Sequence, residues 1–253
     1  MSADQYLQGI LERESIDTRL SSPVRSVQTR LGAIIREWAG DKLVSVSPSG
    51  SFAKGTAIKS GTNIDLFISL SAQTPETLKE IYNNLFNRMN ERGYAPKTHN
   101  VSVKVRVDGY DVDLVPAKRQ GSYTDDHTLY RRRADMWTKT NVTRHITYVS
   151  QFGRANEIRI VKVWRNQKAV DFPSFFLELS VIAALAVQYG GTLSGNLWKV
   201  FEYFRDSFPT ACLTDPANIN NVISDDLTAA EKANVKASAI TALGAKDWSE
   251  IVT

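Results

Sequence analysis

Apolar positions along the chain recur with two different periods. Between residues 24 and 39, Val27, Leu31, Ile34, Ile35 and Trp38 return at helical spacing, and Gly40-Asp41 closes the run. Leu43–Ser47 alternates as a strand, Pro48-Ser-Gly-Ser-Phe52 reads as a turn, and Ile64–Leu70 reads as a second strand. Residues 75–92 form a second amphipathic pattern, with Leu78, Ile81, Tyr82, Leu85, Phe86 and Met89 on one face. Val101–Val107 and Tyr110–Val115 then alternate on either side of Asp108-Gly109. An Asp-Gly pair in that position predicts a hairpin, because both turn residues need positive φ. On the return strand Val112 and Leu114 face one way, Asp111 and Asp113 the other.

Beyond Pro116 a polar, basic stretch runs to about Asn141. Helical apolar patterns follow at about 144–168, 174–189, 195–206 and 228–243. The order predicts an α+β protein: a mixed sheet flanked by helices over 1–145, a helical lobe over 146–253, and a cleft where they meet.

Composition narrows the class. Of 253 residues 42% are hydrophobic and 23% charged, which excludes a disordered tail or a collagen-like repeat. A single cysteine, Cys212, excludes an internal disulfide and a Cys-rich zinc site, and the three scattered histidines argue against a His-built metal centre. The longest apolar run, Val181–Val187, is too short to span a bilayer, and the N-terminus carries no secretory pattern. The expectation is a cytoplasmic protein without a membrane partner. Seven of the 31 Lys/Arg and three of the 27 Asp/Glu lie between Ala117 and His145, so this window carries the whole net charge of +4. Tyr123, Tyr130 and Trp137 are interleaved with those cations. The window reads either as a solvated face or as an anion-attracting wall.

The residues that suggest chemistry lie just before it. Gly50-Ser51 makes a small turn with backbone N–H groups and a hydroxyl to offer phosphate oxygens. Asn63 and Asp65 then share one strand face, and Asp113 is offered by the hairpin strand on the face away from the core. Strand carboxylates gathered in this way can hold two divalent cations about 3.5–4 Å apart, a device for stabilising both oxygens of an in-line phosphoryl displacement.

This conjunction resembles the polymerase-β-like nucleotidyltransferases, and within them the oligoadenylate synthetases and the bacterial cGAS/DncV-like enzymes (CD-NTases). Archaeal CCA-adding enzymes share the same core. The resemblance runs over roughly residues 25–190. It includes Trp137-Thr-Lys-Thr-Asn141 with His145, Asn156–Trp164 around Lys162, and Pro173–Leu179 beginning at Ser174. It implies Gly50, Ser51, Lys162 and Ser174 as nucleotide and triphosphate contacts, Asp65 and Asp113 as metal ligands, and nucleoside triphosphates as substrates. It also implies two Mg²⁺ ions, with Mn²⁺ as a substitute. The implied reaction is attack of a ribose hydroxyl on an α-phosphate with release of pyrophosphate. The implied product is a cyclic or short linear oligonucleotide signal in bacterial anti-phage defence.

One position departs from the pattern. The family places a carboxylate two residues before Asp65, where this chain has Asn63. An amide oxygen is a neutral and weaker ligand, so the chain is expected to be an inactivated or impaired variant. Two alternatives stand beside the synthase reading. One is an RNA-terminal nucleotidyltransferase of the CCA-adding or poly(A) kind, whose nucleic-acid acceptor or activator would lie along the basic window. The other is a catalytically dead nucleotide-binding protein.

Overall fold

The computed structural model describes residues 1–17, 22–61, 63–188 and 190–253. In chain order the elements are α1 (Ala3–Arg13), α2 (Pro23–Ala39), β1 (Leu43–Pro48), α3 (Gly50–Ala53), β2 (Ile64–Leu70) and α4 (Leu78–Glu91). Then come β3 (Lys97–Thr98), β4 (Val103–Val107), β5 (Tyr110–Arg119), β6 (His127–Arg131), β7 (Met136–Thr140), α5 (Val142–Gln151) and α6 (Ala155–Gln167). The chain continues through α7 (Ser174–Ala184), α8 (Leu193–Asp206), β8 (Thr214–Asp215), β9 (Asn218–Val222), α9 (Ala229–Leu243) and α10 (Trp248–Ile251).

The chain packs as two compact units. One comprises Asp17–Lys54 and Thr62–Ile146, the other Met1–Ile16, Gly55–Gly61 and Thr147–Thr253. The first is built on a mixed seven-stranded sheet in the order β1-β2-β5-β4-β3, with the β6–β7 hairpin attached to β5. β2 and β5 are parallel; β1, β4 and β6 run antiparallel to their neighbours. Ile64, Leu66 and Ile68 of β2 and Val112 and Leu114 of β5 pack with Val27, Leu31 and Ile35 of α2 and Ile81, Leu85 and Met89 of α4. The strand period of two then turns Asp65 and Asp113 to the opposite face.

The expected hairpin is present. Asp108 and Gly109 both have positive φ (52° and 84°), and Val107 pairs with Tyr110. β5 continues through Pro116 to Arg119, beyond the predicted Val115. The helix expected over 75–92 begins at Leu78, because Thr77 and Glu80 form a capping box there. The basic stretch, for which no element was predicted, contains the β6–β7 hairpin.

The second unit is helical, with the small β8–β9 ladder. Trp164, Phe172, Phe176, Phe201, Phe204 and Phe208 form a chain of edge-on and tilted aromatic contacts at its centre. Two sequence expectations change here. The single helix over 144–168 is two, α5 and α6, broken at Gly153 with φ of 62°. The boundary at 145/146 misplaces two N-terminal pieces, since Leu7, Ile10 and Leu11 of α1 and Ile58 are buried in the helical unit's core.

Candidate active site

On the sheet unit, the parallel register of β2 and β5 sets Asp65 directly beside Asp113. Asn63, just before β2, donates Nδ2–H to Asp113 Oδ2 at 3.3 Å. Asp113 is buried at 8% exposure, and its other oxygen accepts a hydrogen bond from Ser102 Oγ at 2.8 Å. His99 Nδ1 lies 3.3 Å from the same oxygen, and Lys104 Nζ lies 3.8 Å from Oδ2 and 3.6 Å from Asp111. A buried carboxylate is thus surrounded by hydrogen-bond donors and one cation.

Asp65 is seated on the Gly50 turn. Gly50 has φ of 55°, and a Cβ added there would collide with the Asp65 carboxylate, so both conformation and space demand glycine. The Ser49 N–H donates to the Asp65 carbonyl at 2.8 Å, joining turn and strand from the other side. In α3 the first intrahelical bonds run from Ala53 to Ser49 and from Lys54 to Gly50. The N–H groups of Gly50, Ser51 and Phe52 therefore precede the first bonded turn. Gly50, Ser51, Asn63, Asp65 and Asp113 all lie on one unit.

Two carboxylates and an amide oxygen form a hard, oxygen-only donor set that fits a divalent cation. As it stands Asn63 presents Nδ2–H to Asp113. An acid at position 63 would set two carboxylates side by side, a pairing relieved by a shared proton or a shared cation. Among the described residues, no group of three or more His, Cys, Asp and Glu is arranged to hold a metal ion.

Lys162 and Ser174 belong to the helical unit. Lys162 is 3% exposed, and its ammonium donates to Glu178 Oε1 at 2.7 Å and to the Thr56 carbonyl and hydroxyl at 3.2 and 3.0 Å. Glu178 is 1% exposed and also accepts from Thr56 Oγ1 at 2.6 Å. The sequence reading of Lys162 as a triphosphate hook missed this partner. Its three N–H donors have protein acceptors, so contact with phosphate requires giving one of them up. Ser174 is exposed at the start of α7 and accepts from Arg165 Nη1 at 3.0 Å. Burial lowers the Arg165 pKa, with Glu178 and Asp171 opposing, and the guanidinium remains cationic.

Sequence reasoning missed Ser102, His99, Lys104, Thr56, Glu178 and Arg165. The first three flank the hairpin strand that carries Asp113. Alternation of Val101–Val107 gave the signal for Ser102 and Lys104, which lie on the strand face opposite the valines.

No family model matches the chain. It is 26% identical over 241 residues to a cyclic AMP-AMP-AMP synthase of Escherichia coli (strain MS 115-1), covering 78% of this chain and 74% of the relative. A CCA-adding enzyme of Pyrobaculum aerophilum is 28% identical over 109 residues, 42% of this chain and 26% of that protein. Among solved structures, E. coli MS115-1 CdnC with ATP superposes with a TM-score of 0.78 at 20% identity, covering 95% of this chain and 90% of that one. The Elizabethkingia meningoseptica CdnE cyclic dinucleotide synthase, solved with GTP and Apcpp, superposes at 0.76 with 16% identity, covering 97% of this chain and 100% of that one. The chain shares the fold of these nucleotidyltransferases, and its sequence is similar to that of the cyclic AMP-AMP-AMP synthase. No helix is long and apolar enough to cross a membrane among the described residues.

Proposed function

We propose that this protein is the framework of a cytoplasmic, Mg²⁺-dependent synthase. It would join nucleoside triphosphates into a cyclic or short linear oligonucleotide signal for anti-phage defence, and Asn63 makes the present chain an impaired form of it. The observation that carries the reading is the register pairing of Asp65 with Asp113, with the Asp65 carboxylate lying against Gly50. That arrangement ties two acids to a turn able to bind phosphate, a combination with no evident structural purpose. The names of the relatives, a cyclic trinucleotide synthase and a cyclic dinucleotide synthase, support the product class.

In this reading Ser51 and the N–H groups of its turn bind the triphosphate. Asp65, Asp113 and the Asn63 amide oxygen would hold Mg²⁺, or Mn²⁺ in its place. When bound, the cations supply charge neutralisation of the polyphosphate and lower the pKa of an attacking hydroxyl. Asp113 accepts the proton of that hydroxyl, while Ser102 Oγ keeps its carboxylate oriented. Nearly all the catalysis left to the protein is positioning and electrostatics.

The test is to convert Asn63→Asp and incubate the chain with labelled ATP, GTP, CTP and UTP, with Mg²⁺ or Mn²⁺, and with or without tRNA. Phosphatase-resistant small products are expected. Label entering only tRNA would replace the synthase reading with an RNA-terminal one, and no turnover with either metal would replace it with a nucleotide-binding protein.

A further inference from the structure

The turn that supports Asp113 has a second side. His99 and Ser102 both contact the Asp113 carboxylate, and the turn between them is closed by the His99 N–H, which donates to the Ser102 carbonyl at 2.9 Å. The buried Tyr82 hydroxyl lies 2.8 and 2.9 Å from the carbonyls of His99 and Ser102. Desolvation raises the Tyr82 pKa, so it stays a donor.

The tip of the β6–β7 hairpin is fastened to the same turn by one residue. Asn100 accepts the Arg132 N–H on its carbonyl at 2.7 Å and the Arg133 N–H on its side-chain oxygen at 3.1 Å. The two pieces enclose a recess of about 400 Å³ lined by Thr98, His99, Asn100, Ser102, Arg132 and Arg133 together with Val101. No carboxylate lines it. Among the described residues the Arg132 and Arg133 side chains have no acidic partner, unlike Arg30, Arg88, Arg92 and Arg119. Two exposed arginines lining a recess without an acidic partner, their backbone fixed by Asn100, mark a place for an anion.

We propose that this recess binds a phosphate of the acceptor, the nucleotide or short oligonucleotide whose hydroxyl attacks, and so presents that hydroxyl to Asp113. This rests on the nucleotidyl-transfer reading and adds to it a site for the acceptor separate from the Ser51 turn. The physical reason is adjacency: the turn that lines the recess is the turn that hydrogen-bonds Asp113. Because His99 and Ser102 both line the recess and contact the Asp113 carboxylate, an acceptor anchored there by its phosphate lies next to that carboxylate. The occupied group is either a 5′-terminal phosphate or an internal phosphodiester.

The chain as it stands suits the test, since Asn63 favours binding without turnover. Affinities for pApA, for ApA and for Mg-ATP are measured by calorimetry on the unaltered chain, on the Arg132→Ala/Arg133→Ala double variant, on Asn100→Ala and on Arg30→Ala as a basic control. The double variant is expected to bind pApA about tenfold more weakly, and Mg-ATP within twofold of the unaltered chain, with an unchanged melting temperature. Asn100→Ala should give a smaller loss in the same direction, and Arg30→Ala none. Loss of the pApA-over-ApA preference in the double variant assigns the recess to the terminal phosphate; equal weakening of ApA assigns it to the phosphodiester. The proposal is overturned by unchanged pApA binding in the double variant, by an equal loss of Mg-ATP, or by no pApA binding where Mg-ATP binds. If the unaltered chain binds neither ligand, the nucleotidyl-transfer reading falls as well.

Discussion

Gly50 illustrates how one missing side chain sets the geometry of a site. Its backbone takes φ of 55° and the Asp65 carboxylate occupies the volume a Cβ would need. Gly50→Ala is therefore expected to cost about 1–3 kcal/mol from backbone strain alone, read as a lower melting temperature. In the Asn63→Asp background it should also cut nucleotide consumption more than tenfold, because Asp65 must move. Position 63 makes the complementary point. The Asn63 amide satisfies Asp113 Oδ2 with a proton where a carboxylate would repel it. Asn63→Asp is expected to lower the melting temperature in EDTA and to regain the loss in Mg²⁺, whereas the Asn63 chain should respond less to the metal. A melt pair with equal metal responses would contradict the ligand set.

Two buried polar pairs make further predictions at the same scale. Lys162 and Glu178 are almost fully buried, so removing either leaves an uncompensated charge. Lys162→Met and Glu178→Gln should each cost about 3–5 kcal/mol in urea denaturation, and Lys162→Met/Glu178→Leu distinctly less than the sum of the singles. On the sheet unit, His127 Nε2 lies 2.8 Å from Ser69 Oγ, and Nδ1 lies 2.7 Å from the Asp125 carbonyl. The carbonyl can only accept, which places the proton on Nδ1 and makes Nε2 the acceptor of the Ser69 hydroxyl. Burial lowers the His127 pKa below 6.5, partly offset by the bond to Asp125. The unfolded chain then binds more protons than the folded one, so stability is complete above about 6.5 and falls as pH drops through the interval below it. Thermal melts between pH 7 and 5 should show this slope and lose most of it in His127→Gln. Asp126, held below the usual carboxylate range by Asn141 and Lys139, contributes only at lower pH.

At the scale of elements, legibility followed local chemistry. The β4–β5 hairpin was readable because Asp108-Gly109 supplies both positive φ values and the flanking valines alternate cleanly. β2 and α9 matched because their apolar residues or caps are contiguous in sequence, as with Thr228 and Glu231 at the start of α9. The β6–β7 hairpin escaped because it attaches to the sheet margin through β5 alone, and β7 buries little: Met136 and Trp137 are both exposed, Trp137 at 62%. β6 buries His127, Leu129 and Tyr130, but these do not alternate, and the exposed β7 leaves almost no apolar period to read. The break between α5 and α6 escaped for the opposite reason. Apolar residues continue across Gly153, and only the backbone angle there ends the helix.

At the scale of the molecule, two separate cores account for the division of the chain. One is aliphatic, between the sheet and α2 and α4; the other is the aromatic cluster around Trp164. Residues 55–61 join the helical core through Ile58, although Ser51 before them and Asn63 after them sit on the sheet unit. The net charge of +4 takes on meaning only through placement: Arg119, Lys139 and Lys79 are spent on nearby acids, while Arg132 and Arg133 are presented at the recess.

The sequence by itself determined the strand and helix periods, the hairpin turn and the residue types of the acidic site, because these depend on neighbours a few positions apart. Tertiary structure alone decided that Asp65 lies beside Asp113, that Glu178 takes the Lys162 ammonium, and that Asn100 fastens a distant hairpin to the turn behind the site. Those facts rest on parallel pairing and burial between segments far apart in the chain, and no periodicity within one segment encodes which other segment it will meet.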